Sequence, residues 1–473
     1  MRPGLIGSMR RFGKTFWTAI AVELLHCMAS YTMSSYLIVY LSQDLGFGDL
    51  RANSLAGMLW FMGYFLPILI GALADRFGFR ETMLASLVVI VLGYALASRV
   101  TAYPGMVAAL LLIALGGAVM KPVIAGTVKA ESTEETRGLG FSIYYMMINV
   151  GSLGAPFLAN AVRTGTGKPA LIFAACAVVE AVALLLTFAA FRNPAYDPAA
   201  RAKPLPAVFS EMVQVLGNVR ALLTAFGLFG ILLLWRKAFL PFDEALGLAA
   251  VWVVLNLVLD ARLKGRGAPA WLPPQRLGDL RLLLFILIFS GVWALYSQIW
   301  TNIPLFIIGL DPSMKAHIEL FQAVDPVLIV CFQVLIGKAT GRFRPLPTMV
   351  AGILIAAAAV STVHLFGTAF GAWAVALSLA IWAVGEMLFS PRMVEYVSVI
   401  APKEKLALYI GYGFLPLALG FGLGPPVGAR LVAFFDAAGR PAWVWYAFGL
   451  WAALNAAALW MFDRAFGREG HPE

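Results

Sequence analysis

The sequence predicts an all-α membrane protein of fourteen spans, built as two six-helix bundles with two further helices between them. Three observations carry that prediction. Of the 473 residues, 61% are hydrophobic and only 13% are charged, and the mean hydropathy is +0.84. A soluble domain carries about a quarter charged residues, so this composition requires many spans. Apolar runs long enough to cross a bilayer recur along the whole chain, and one short segment recurs at matching places in the two halves.

The runs lie at 15–42, 53–74, 82–99, 103–128, 139–161 and 169–191, which makes residues 1–191 the first bundle. Residues 192–281 form a basic, proline-bearing link with two additional runs, 217–235 and 241–261. Six more runs, at 282–310, 317–340, 347–366, 371–399, 406–434 and 441–463, make residues 282–473 the second bundle. With an even number of spans both termini share one side. On that side fall 24 of the 35 basic residues, against 8 on the other, which places both termini in the cytoplasm. The repeated segment runs Ile68–Phe77 and again Val334–Phe343, ending the second span of each half with Arg-Phe. Duplicated halves are the architecture of alternating-access transporters.

Other classes are excluded in turn. The pI near 9.6 reflects basic residues scattered over short loops, which serve topology rather than a nucleic-acid surface. Cys27, Cys176 and Cys331 lie inside apolar runs, without disulfide or zinc-ligand spacing, so no metal is expected. The basic segment Met1–Lys14 leads to no small-residue cleavage site. No P-loop, nucleophile or phosphate cradle is present, so neither ATP-driven transport nor an enzyme is expected.

The ionisable residues inside the spans carry the functional reading, because a charge in hydrocarbon costs several kcal/mol and normally faces a partner or a watery cavity. Lys121 stands deep in the fourth run, and the fifth carries Tyr144, Tyr145 and Asn149. Glu23 and Lys121 each sit eight residues from the cytoplasmic ends of their spans, at a common depth of ~12 Å. Equal depth predicts an ion pair between them, with His26 one turn beyond Glu23 on the same face. Carboxylate and imidazole side by side suit proton coupling. Glu386, mid-span, is placed to hold a substrate ammonium, and Asp325 adds a second acid to that half. Tyr31, Tyr64, Tyr144 and Asn149 are candidate cavity-wall donors, whereas Glu180 reads as a structural hydrogen bond. The glycine-rich run before Pro425-Pro426 reads as close helix packing.

Two sets of motifs resemble known families. Gly71-Ala-Leu-Ala-Asp75-Arg76-Phe-Gly-Phe-Arg80 resembles the loop between helices 2 and 3 of the major facilitator superfamily, which implies that fold and a gating role for Gly71, Asp75 and Arg76. Lys121-Pro122, Phe141-Ser-Ile-Tyr-Tyr-x-x-Ile-Asn149-x-Gly-Ser-Leu, Trp293-Ala-Leu-Tyr-Ser-Gln298, Phe321-Gln-Ala-Val-Asp325-Pro326 and Gly385-Glu386-Met-Leu-Phe-Ser-Pro391 look like the proton-dependent oligopeptide transporter family. The two extra helices are similar to that family's bacterial layout. The departures are equally specific. Where the family's first helix usually reads E-x-x-E-R, this chain has Glu23-Leu-Leu-His26-Cys27, and a further expected arginine is Ser34. The seventh-span glutamate is Ser297, and the asparagine before the eighth-span proline is Asp325.

The resemblance implies a proton-coupled symporter for small peptides or peptide-like, amine-bearing solutes, and the buried charges make Glu23, His26 and Lys121 the candidates for coupling the proton. The candidate substrate site is Glu386, Tyr31, Tyr64, Tyr144, Asn149, Ser297 and Asp325. The alternative is a proton-driven exporter of cationic or amphipathic compounds on the same fold. Expected partners are a small-molecule substrate and the lipid bilayer of a bacterial inner membrane, with no nucleic acid, no cofactor beyond the proton gradient, and a monomeric state.

Overall fold

A computed structural model describes residues 9, 11–67, 74, 76–194, 204, 227, 231, 242–264, 280–400 and 412–466. In the first half the helices are α1 (Lys14–Val39), α2 (Asp49–Phe65), α3 (Phe79–Ala97), α4 (Tyr103–Ala130), α5 (Arg137–Thr166) and α6 (Leu171–Ala190). In the link lies α7 (Phe242–Lys264). The second half contains α8 (Leu280–Trp300), α9 (Asn302–Leu310), α10 (Ile318–Phe321), α11 (Val324–Thr340), α12 (Pro345–Phe370), α13 (Val375–Ile400), α14 (Leu415–Ala437) and α15 (Trp443–Phe466). The described residues contain no strand.

Eleven of the described helices are long and apolar enough to cross a membrane. Backbone groups in hydrocarbon have no water to bond, so an unbroken helix is the economical spanning form. The described parts of α2 and α7 are helical within two more of the fourteen predicted runs, and the run 217–235 lies almost wholly outside the described residues. Two details go beyond hydropathy. α1 continues into a π-helical turn, Tyr40–Asp44, and the predicted run 282–310 breaks at Thr301 into α8 and α9. Prolines stand inside α4, α5, α13 and α14. Each lacks an N–H and frees the carbonyl one turn back, which bends a helix. Pro122 stands directly beside Lys121 inside α4.

Residues Met1–Arg201 and Phe285–Glu473 form one compact unit, and Ala202–Leu284 a second. In the first unit α1 packs on α5 and α6, α3 on α4, α12 on α13 and α15, and α2 of one half on α14 of the other. The α2–α14 contact depends on small residues: a Cβ on Gly57 would fall 2.5 Å from the carbonyl oxygen of Gly422. The glycine run therefore serves close packing, as its composition predicts.

The repeat also has a structural counterpart. Arg76 stacks over Phe77 at 5.4 Å and Arg342 over Phe343 at 5.0 Å, the same local arrangement in both halves. Gly71, Asp75 and most of the first copy lie outside the described residues.

In the second unit, α7 exposes apolar side chains on several faces, including Leu246, Val251, Val254 and Leu257. Asn256, its polar residue near mid-helix, bonds its own backbone at Trp252. Such a helix suits lipid, with its described charged residues, Asp243, Glu244 and Arg262, near its ends. Replacing residues 217–261 by a polar tether is expected to leave substrate affinity within about twofold, since surface changes away from a site are worth about 0.5 kcal/mol or less. A larger loss in a variant that remains monodisperse would assign these helices to the site.

Candidate functional site

The site is built around two neighbouring cavities in the first unit. One, of about 130 Å³, is lined by His26, Tyr31, Ser34, Trp60, Tyr64 and Lys121 among others. The second, of about 50 Å³, shares Tyr31, Ser34, Trp60 and Tyr64 with it and adds Tyr296, Trp300 and Phe421 from the other half. Together they connect α1, α2 and α4 to α8 and α14. Phe421 joins the halves: its ring lies 5.4 Å from Tyr64, 5.5 Å from Trp60 and 5.6 Å from Tyr296. Tyr31 meets Trp300 at 5.8 Å. A larger groove of about 570 Å³ has an apolar lining that includes Leu328, Phe332 and Leu377, and offers no ionisable group.

Lys121 sits where predicted, inside the cavity wall, but its partner differs. No ion pair joins it to Glu23 among the described residues; its ammonium lies 4.8 Å from the centre of the Tyr64 ring. Glu23 is fully buried, within electrostatic reach of both Lys121 and His26, and accepts a weak bond from the Cys27 thiol at 3.5 Å. Its second oxygen, Oε2, has no hydrogen-bond partner. Depth along the membrane normal predicted the neighbourhood, while the rotation of each helix decided the contacts. His26 instead pairs with Glu180 of α6, Nδ1 to Oε1 at 2.8 Å.

In the second half, Asp325 and Glu386 are both buried and stand close to each other. Tyr296 donates to Asp325 Oδ2 at 3.2 Å, so the two acids stand directly behind a residue that lines the second cavity. Asp325 Oδ1 and Glu386 Oε2 are without hydrogen-bond partners. An unpaired buried polar atom is costly, which sets these two acids apart from packing residues.

Not every expected wall residue faces the cavities. Tyr31 and Tyr64 do. Tyr144 is buried next to Glu23. Asn149 bonds its own helix at Tyr145 O, 2.8 Å away. Ser297 is fully buried and donates to Ala294 O at 2.7 Å, while Gln298 links α8 to α14 through Gly424 O at 3.0 Å. The sequence does not single out Trp60, Trp300 and Phe421, because single aromatic residues in an apolar run have no distinguishing pattern, and Tyr296 stands within the Trp293–Gln298 motif without a role assigned to it.

The halves are also clamped at the end away from the termini. Arg163 of α5 grips the fully buried Glu319 of α10 through both carboxylate oxygens, one bond measuring 2.8 Å, and donates to Ala316 O at 2.8 Å. Asn160 adds a bond to Glu319 at 3.2 Å, and Lys315 pairs with Asp44 at 2.6 Å. Removing one partner of a buried pair costs about 3–5 kcal/mol. Glu319→Gln is therefore expected to open this end: spin labels at Gly46 and Ser313 should gain a longer-distance population. An unchanged distance distribution would make the clamp a packing feature only.

Comparisons with known proteins agree with this architecture. The sequence profile of the Major Facilitator Superfamily matches residues 19–414. The chain is 24% identical to dipeptide and tripeptide permease B of Aeromonas hydrophila, covering 90% of this chain and 86% of that one. It is 26% identical to dipeptide and tripeptide permease A of Chromobacterium violaceum, covering 86% and 82%. Among solved structures, a POT family transporter in complex with 5-aminolevulinic acid superposes with a TM-score of 0.71 at 18% identity, over 97% of this chain and 99% of that one. The POT family transporter PepTSo does so with a TM-score of 0.73 at 19% identity, over the same shares.

Proposed function

We propose that this chain, which belongs to the Major Facilitator Superfamily, is a divergent member of its proton-dependent oligopeptide transporter branch. It works as a symporter that couples proton entry to uptake of small peptides or peptide-like, amine-bearing solutes. The observation that carries this reading is the cavity shared by both halves, with Lys121 and His26 at one end and the Asp325–Glu386 pair behind Tyr296 at the other. A solute with separated charges would meet the Lys121 cation on one side, and on the other Tyr296, which donates to the acid behind it. The permeases it resembles are described as carrying dipeptides and tripeptides, which supports the substrate class.

Alternating access follows from the clamp at one end. While Arg163 and Glu319 hold that end shut, solute exchanges through the other; breaking the clamp lets the halves rock about the cavity. The bilayer is the inner membrane of a bacterium, with both termini cytoplasmic by the distribution of basic residues. In this reading the transporter acts as a monomer and the proton gradient is its energy source.

The exporter alternative has its own support: Trp60, Trp300 and Phe421 with two nearby acids also suit an amphipathic cation. Proteoliposomes with an inward proton gradient separate the two. Import predicts accumulation of an amine-bearing peptide analogue that collapses with a protonophore. Export under the same gradient predicts depletion of a preloaded cationic compound.

A further inference from the structure

The His26–Glu180 contact has no role in the reading above, and its geometry is that of a working pair rather than a packing bond. Glu180 is fully buried in α6; one oxygen meets His26 Nδ1 at 2.8 Å and the other has no hydrogen-bond partner. A carboxylate at Glu180 can only accept, which would require the proton on Nδ1 and leave Nε2 with a free lone pair. That second nitrogen faces Gly117 of α4, where a Cβ would lie 3.9 Å away, and both residues line the 130 Å³ cavity. Glycine thus leaves space for water beside the one basic atom of the ring.

We propose that Glu180 is the positioning residue of a proton-binding pair, holding the Nδ1–H of His26 so that Nε2 takes the transported proton from cavity water. The inference rests on the transport reading for its purpose, not for its chemistry. An Nε2–H bond forms as an O–H bond of a hydronium breaks, and the reverse step releases the proton to the other side.

The surrounding charges favour one proton and no more. Around His26 stand Glu23 on α1, Lys121 on α4 and Glu180 on α6, with the uncharged Tyr64, Tyr94, Tyr144 and Cys27 nearby. With both glutamates ionised and the lysine charged, this group carries one net negative charge while His26 is neutral. Protonation brings it to zero, the cheapest state for a cluster inside a membrane.

The test uses the full chain in nanodiscs, labelled with 15N-histidine. The chain has four histidines, so His26→Gln assigns the signal. His26 is expected as the Nδ1–H form, and Glu180→Gln should shift it toward Nε2–H, because an amide fixes neither nitrogen as donor. In proteoliposomes Glu180→Gln should lower proton-driven accumulation by at least about tenfold, the factor a charge-assisted hydrogen bond commands. Glu180→Asp should recover part of it, and Glu180→Gln combined with His26→Gln should be no worse than either alone. An Nε2–H tautomer in the parent, or a signal unmoved by Glu180→Gln, overturns the proposal whatever the transport result. The expected tautomer behaviour without net transport would overturn the symporter reading and leave the proton site standing.

Discussion

Glu23→Gln is expected to abolish proton-driven accumulation while leaving exchange of substrate across the membrane in place. Glu23 is fully buried beside His26 and Lys121, and its carboxylate supplies half of the negative charge in that group. Without it, the cluster is neutral before a proton arrives, and protonation of His26 creates an uncompensated charge inside the membrane. A potential of ~100 mV is worth about 2.3 kcal/mol per charge, roughly a fiftyfold concentration ratio for one coupled proton. The variant should fall from a ratio of that order to about one, measured as labelled substrate retained in proteoliposomes under a potassium-diffusion potential. Counterflow between equal pools needs no net proton movement and should continue. A variant that concentrates substrate as well as the parent would make Glu23 structural.

Capping the substrate amine is expected to cost far more affinity than capping its carboxylate. The first-helix arginines that would clamp a carboxylate are replaced here by Cys27 and Ser34. Asp325 and Glu386, by contrast, each hold an unpartnered oxygen behind the cavity wall. Desolvating that acidic pair without a cation forfeits about 3 kcal/mol, so N-acetylation should weaken binding by about a hundredfold. Amidation of the carboxylate removes a contact with Lys121 that solvent partly replaces, for a loss of about tenfold or less. Glu386→Gln should narrow the gap between the two penalties, because the amine then keeps only Asp325 as an acidic partner. Calorimetry with a dipeptide, its N-acetyl form and its amide reads all three. Tight binding of the N-acetylated form to the parent protein would refute the acidic end of the site.

Much of this protein is legible along the chain. Hydropathy determined the spans, because a bilayer of about 30 Å demands about twenty apolar residues per helix. The Arg-Phe repeat predicts two related halves, and the cost of burying charge singled out Glu23, His26, Lys121, Asp325 and Glu386. The link was legible only as apolar runs, since Asn256 and its neighbours carry no chemical signal. The contacts themselves came from tertiary structure. Glu23 and Lys121 share a depth, yet Lys121 turns to Tyr64 and His26 to Glu180. Ser297 and Asn149 spend their hydrogen bonds on their own helices, and Arg163 closes on Glu319 across 156 residues of chain. Sequence spacing sets a residue's height and its face on one helix, through the 1.5 Å rise and the 3.6-residue turn. It does not set how that helix is rotated against its neighbours, and in a bundle that rotation decides which buried charges meet.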